Sequence, residues 1–127
     1  MRTPAPYDFA IIRVVPHVER GECINAGVIL YCREQRYLAA RVELDEERLA
    51  ALAPRMDPDE TRTQLDLIPR ICAGDGPLGH LSLTERFRWL VAPRSTVVQV
   101  SPVHNGLCED PEAALEHLMQ TMVRRVE

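Results

Sequence analysis

No run in this sequence approaches the ~20 consecutive apolar residues that a membrane-spanning helix needs. The opening residues, MRTPAPYDF, lack the apolar stretch of a secretory signal. The cysteines Cys23, Cys32, Cys72 and Cys108 form no C-x-x-C pair and have no zinc-finger spacing. There is no P-loop, dinucleotide fingerprint, G-x-S-x-G elbow or H-E-x-x-H motif. Internal repeats, low-complexity tracts and domain-length linkers are missing too. These absences leave no familiar motif of a hydrolase, a nucleotide enzyme or a zinc enzyme. They leave the expectation of a cytoplasmic protein with reduced thiols, two or three of them packed as small hydrophobes, and with no cofactor. The net charge of −4 argues against broad nucleic-acid binding, although it leaves room for a local basic site.

A chain of 127 residues is the usual size of one domain, and residues 1–127 read as a single one. Such a chain hides roughly two-thirds of its unfolded surface. Hydrophobic residues make up 46% and charged residues 27%, ordinary values for a packed globular domain.

YDFAIIRVV, Tyr7 to Val15, is rich in β-branched and aromatic residues and stops at Pro16, as a strand would. CINAGVILYC, Cys23 to Cys32, becomes an unbroken apolar run from Val28 and reads as a central strand buried on both faces. Gly27 at its start signals a bulge or a close backbone approach. YLAARVEL, Tyr37 to Leu44, returns as a third strand, and the short links predict an antiparallel meander. Arg13 sits inside an apolar strand, and an ion pair with Glu43 on a neighbouring strand is the expected compensation.

The middle of the chain is helical. Asp45 caps DEERLAAL, and Asp57 caps a second helix with Pro58 at its first position. That helix presents Leu65, Ile68 and Cys72 on one face, and Pro69 should kink it. Ser82 to Glu85 is a capping box opening a short helix through Phe87, Trp89 and Leu90, which Pro93 stops. A strand from Thr96 to Val100 follows, then a turn at Asn105-Gly106. The last helix starts from Asp110 and Pro111. It carries Leu115, Leu118, Met119, Met122, Val123 and Val126 on one face, with Arg124 and Arg125 in its last turn. The architecture is α+β: an antiparallel sheet of about four strands with helices packed mainly on one face.

Polar groups crowd both ends of the Thr96–Val100 strand. Arg86 and Arg88 on the short helix and Arg94, Ser95 and Thr96 lie at the strand's start, Gln99 shares a strand face with Ser95, and His104 and Asn105 lie past its end. Arginine offers a planar fork of donors that suits carboxylate and phosphate. The eight residues are the candidate ligand or partner site, arranged as a groove along a rigid strand. The competing reading is that Arg94 bonds backbone carbonyls and the hydroxyls cap turns. His104 and Cys108, spaced i and i+4, carry only a weak signal for a metal or a nucleophile–base pair.

Two blocks, YDFAIIRVVPHVERGECINAGVILYC and RFRWLVAPRSTVVQVSPVHNGLCEDP, resemble the bacterial domain-of-unknown-function family 3037. The resemblance implies no established activity. It suggests a partner role beside HipA-like kinases, which is association and not mechanism. The leading expectation is a binding module for a protein partner. The alternative is an enzyme or a nucleotide or phosphate binder using Arg86, Arg94, Ser95, Thr96 and His104. Convergence decides between them. Arginines, His104 and Asn105 meeting in one cleft would favour a small ligand, whereas a spread beside exposed apolar residues would favour a protein.

Overall fold

A computed structural model describes residues 3–125. Strands β1 (Ala5–Val14), β2 (Ile24–Cys32) and β3 (Tyr37–Val42) form the expected antiparallel meander. Helices α1 (Glu46–Leu52), α2 (Pro58–Cys72) and α3 (Leu83–Val91) follow, then two short strands, β4 (Val98–Val100) and β5 (His104–Cys108). The chain closes with α4 (Pro111–Leu118), continued by one π-helical turn, Met119–Val123. The fold is α+β, and among the described residues no helix is long and apolar enough to cross a membrane.

The sheet order is β3-β2-β1-β4, with β5 also paired to β1. β1 is long enough to serve both short strands along one edge, β4 at Ile12–Val14 and β5 at Ala5–Phe9. β2 is central, and Ala26 to Cys32 are all buried. That burial on both faces explains its unbroken apolar run. A register shift falls between Ile12 and Arg13, opposite Gly27 and Asn25. A Cβ on Gly27 would sit 2.4 Å from the Arg41 carbonyl oxygen, so the close approach read from the sequence is real.

Alternation of side chains gives the sheet two apolar faces. Ile12, Val14, Ile29 and Tyr31 face α1, α2 and α3, meeting Leu49, Leu65, Ile68, Phe87 and Leu90. Phe9, Ile11, Val28, Leu30 and Cys32 face α4, meeting Leu115, Leu118, Met119 and Val123. Three helices thus share one face, and the fourth lies alone on the other.

Every predicted N-cap is present. Asp45, Asp57, Ser82 and Asp110 each accept a backbone N–H, and Ser82 with Glu85 completes the capping box. α2 runs through Pro69 to Cys72. Pro69 has no N–H, so the Leu65 carbonyl goes without its helical partner.

Three local expectations change. Asn105-Gly106 is not a turn but the middle of β5, where Asn105 pairs with Asp8 and Gly106 with Tyr7. The Tyr7 ring lies across Gly106, with a ring carbon only 2.4 Å from where a Cβ would stand. Glycine is there to admit an aromatic ring and not to bend the chain. The strand expected from Thr96 pairs regularly only from Val98. Finally, the π turn widens the last helix, so Val123 stays buried while Met122 swings out to 41% exposure. Val126 lies outside the described residues.

Arg124 and Arg125 fall past the helix end and act as ion-pair anchors, not as dipole partners within a last turn. Arg124 bonds Glu43 at 3.1 Å and Glu116 at 2.6 Å; Arg125 bonds Asp45 at 2.6 Å and Glu47 at 3.0 Å. Glu43 is therefore committed to Arg124, and the expected Arg13–Glu43 pair is absent. The Arg13 Nε is buried without a hydrogen-bond partner. The pairing was misassigned because Arg124 is distant in sequence and reaches Glu43 only through the fold.

These contacts make a pH prediction. The hydrogen bond from Arg125 holds Asp45 well below the usual carboxylate range, and Arg124 does the same for Glu116. Folded-state values below the unfolded ones mean the stabilisation is complete above the unfolded carboxylate values. It is lost as pH falls through the folded ones. The melting temperature is expected to hold between neutral pH and ~5 and to fall below ~4. Arg125→Ala should flatten that decline, and an unchanged acid limb in this variant would show the anchor carries no linkage.

Candidate functional site

The eight candidate residues do not converge. They spread over both sides of α3 and both faces of β5, and several are occupied with structural hydrogen bonds.

Arg86 turns inward. Its Nη1 donates to the Cys72 carbonyl at 2.8 Å, closing the end of α2. Gly74, at φ +88°, passes close to this guanidinium, and a Cβ there would come within 3.1 Å of Nη1. Arg94 closes the end of α3 in the same way, donating to the carbonyls of Trp89 at 2.7 Å and Leu90 at 3.2 Å. Its guanidinium carbon stands 4.3 Å from the Trp89 ring centroid, a cation–π stack. Free C-terminal carbonyls need donors, and arginine past a helix end is a suitable one. Thr96 Oγ1 donates to the Val98 carbonyl at 2.8 Å, and Gln99 Nε2 to the Thr96 carbonyl at 2.8 Å. Ser95 is exposed.

His104 and Asn105 sit on opposite faces of β5. His104 stacks on Phe9, ring centroids 5.3 Å apart, on the α4 face. Asn105 Nδ2 donates to the Asp8 carboxylate on the α3 face. Because β5 is extended, residues four apart stand roughly 13 Å apart, so His104 and Cys108 cannot form a nucleophile–base pair. Burial and the nearby Cys32 raise the Cys108 thiol, and burial pushes Cys72 up to about 12. Neither is an activated thiolate. All four cysteines are free thiols, with Cys32 and Cys72 buried. Among the described residues no three His, Cys, Asp or Glu side chains gather as a metal site.

Two concave regions border α3, one on each side. The first lies between α2, α3 and β4, with a volume near 170 Å³. Leu67, Ile71, Trp89 and Leu90 give it apolar walls, and Arg94 and Gln99 border it. Leu67 is 48% and Trp89 43% exposed. Both also line an adjoining hollow of about 370 Å³ that extends past Arg70 to Pro77 and Leu78.

β4 forms the rim of this groove, and its outer edge is open. Val15 N–H bonds to the Val97 carbonyl at 2.7 Å, and Ser101 N–H bonds to the Ile11 carbonyl at 2.8 Å. In an antiparallel ladder bonding residues alternate, so Gln99 faces β1 and the main-chain groups of Val98 and Val100 point outward. Thr96 covers the Val98 carbonyl. Among the described residues nothing bonds the N–H groups of Val98 and Val100 or the Val100 carbonyl, which leaves them open to another strand.

The family model described as "Protein of unknown function (DUF3037)" matches residues 9–123. The chain belongs to the DUF3037 family. That match spans both the meander and the β4–β5 region, so the resemblance carried by the two sequence blocks extends over nearly the whole domain. No curated protein and no solved structure matches the chain. The open edge of β4 left no sign in the sequence. An edge depends on which strand neighbours which, and the polar Ser-Thr-Gln spacing carried no signal for it.

Proposed function

We propose that this DUF3037 domain is a protein-interaction module that takes an extended segment of a partner protein along β4. The observation that carries this reading is the open main-chain edge of Val98–Val100 beside an exposed apolar groove. Only an extended chain can pair with those N–H and C=O groups, and alternate side chains of an added strand would reach the groove. Arg70 and Arg94, neither with an acidic partner among the described residues, flank it, so an acidic residue beside the apolar anchors fits. The spread of the eight candidates over several surfaces supports a protein partner over one small anion. A bacterial HipA-like kinase, implied by the family resemblance, is the first protein to test.

The test is selection of binders from a random-peptide display library, followed by affinity measurement on two variants. Val98→Pro removes an outward N–H without touching the β1 ladder, and proline is tolerated on edge strands. Trp89→Ala removes a groove wall. Each is expected to cost about 2 kcal/mol of binding or more while thermal unfolding stays cooperative. Selected peptides that bind both variants at wild-type strength would refute strand addition here.

A further inference from the structure

The second concave region, on the other side of α3, holds a different kind of site. Cross-strand pairing places Tyr31, Asp8 and Asn105 in one row across β2, β1 and β5, on the face that α3 covers. Pro6 of β1 and Arg33, just past the end of β2, lie two residues further along, and a gap stays open between them and the Thr84–Val91 side of α3. The result is a hollow of about 490 Å³, within the range of small-molecule sites.

Its walls are apolar: Pro6 from β1, Phe87 and Val91 from α3, and Val103 before β5. Its polar groups are few and placed. The Tyr31 hydroxyl meets Thr84 Oγ1 at the wall shared with α3. Asp8 shares one carboxylate oxygen with Asn105, which leaves the other oxygen free to accept. Arg33 and Arg88 stand exposed at the rim, and neither forms an ion pair among the described residues. The other arginines around α3 are spent on carbonyls; these two are not. Two fixed cations outnumber one carboxylate, so the hollow favours an anion over a cation.

We propose that this hollow binds a small organic oxyanion, a carboxylate or phosphate carried on an apolar body the size of a substituted ring. Arg33 and Arg88 hold the oxyanion, Phe87, Val91 and Val103 pack the body, and Asp8 accepts from a donor at its far end. This site is separate from the β4 groove and does not depend on strand addition. Chain-wide arginine usage fits, because the sequence contains no lysine and a guanidinium binds either oxyanion bidentately.

The experiment is titration of the whole domain with benzoate, 4-(aminomethyl)benzoate and phenyl phosphate, read by amide chemical shifts at Arg88 and Val103. Benzyl alcohol serves as the neutral control. Saturable shifts are expected with all three anions and not with the alcohol. The stronger of benzoate and phenyl phosphate tells which oxyanion the rim prefers. Arg88→Gln should weaken the anions about tenfold to a hundredfold. Asp8→Asn should act with opposite signs: it removes the negative charge, which ends a repulsion and strengthens benzoate but ends the attraction for the ammonium and weakens 4-(aminomethyl)benzoate. Absence of saturable shifts, equal binding of the alcohol, affinity unchanged by Arg88→Gln, or an Asp8→Asn effect of the same sign on both ligands would each overturn the assignment.

Discussion

Leu118→Ala is expected to destabilise the domain by about 2–5 kcal/mol. Leu118 is 5% exposed and packs on the sheet face formed by Ile11, Val28 and Leu30. α4 and its π turn are the only helical cover of that face among the described residues, so no neighbouring helix can settle into the space. Removing three side-chain carbons loses transfer free energy and leaves a cavity that the stiff β-branched neighbours fill poorly. Chemical unfolding reads the effect as a lower midpoint with little change in slope. A midpoint like that of the wild type would show that α4 is a surface appendage and not core.

Gly27→Ala is expected to cost about 3 kcal/mol, and Gly106→Ala clearly less. Both glycines lie in strands, where alanine would ordinarily gain ~0.5–1 kcal/mol by restricting the unfolded chain. At Gly27 the new Cβ meets the Arg41 carbonyl oxygen, main chain of β3, at 2.4 Å, and Ile12 Cδ1 at 3.0 Å. Main chain in the middle of a ladder cannot yield without breaking β2–β3 pairing, and such overpacking costs ~1–3 kcal/mol or more. At Gly106 the obstacle is the Tyr7 ring, a side chain that can swing aside. Equal losses from the two substitutions in calorimetry would contradict this ranking.

The contrast between these glycines shows what was legible in the sequence. Gly27 precedes an unbroken apolar run, so a close approach there could be read from position alone. Gly106 follows Asn105, the strongest short turn signal, and the long β1 overrode it. Along Ala5–Phe9 the edge of β1 that faces away from β2 takes β5, and pairing there outweighs a dipeptide preference. Helix starts were readable because caps are local: Asp45, Asp57, Ser82 and Asp110 each bond a backbone N–H two or three residues on. Arg13, Glu43 and Arg124 were not readable as a set, because the choice between partners is made by the fold. The eight candidate residues share a neighbourhood in sequence and not one surface in the fold. RFRW supplied Arg88 to one hollow and Trp89 to the other, since successive helical residues point ~100° apart. Nothing in the pattern said that Arg86 and Arg94 would be consumed by helix-end carbonyls.

Strand addition at β4 is tested most directly by amide hydrogen exchange at Val98 and Val100, measured with and without a display-selected peptide. Gln99 serves as the internal reference, because its N–H faces β1. In the free domain Val98 and Val100 should exchange rapidly and Gln99 slowly. With the peptide bound, all three should exchange slowly, with Val98 and Val100 slowed by far the larger factor. Val98 and Val100 remaining unprotected while the peptide is bound would contradict it.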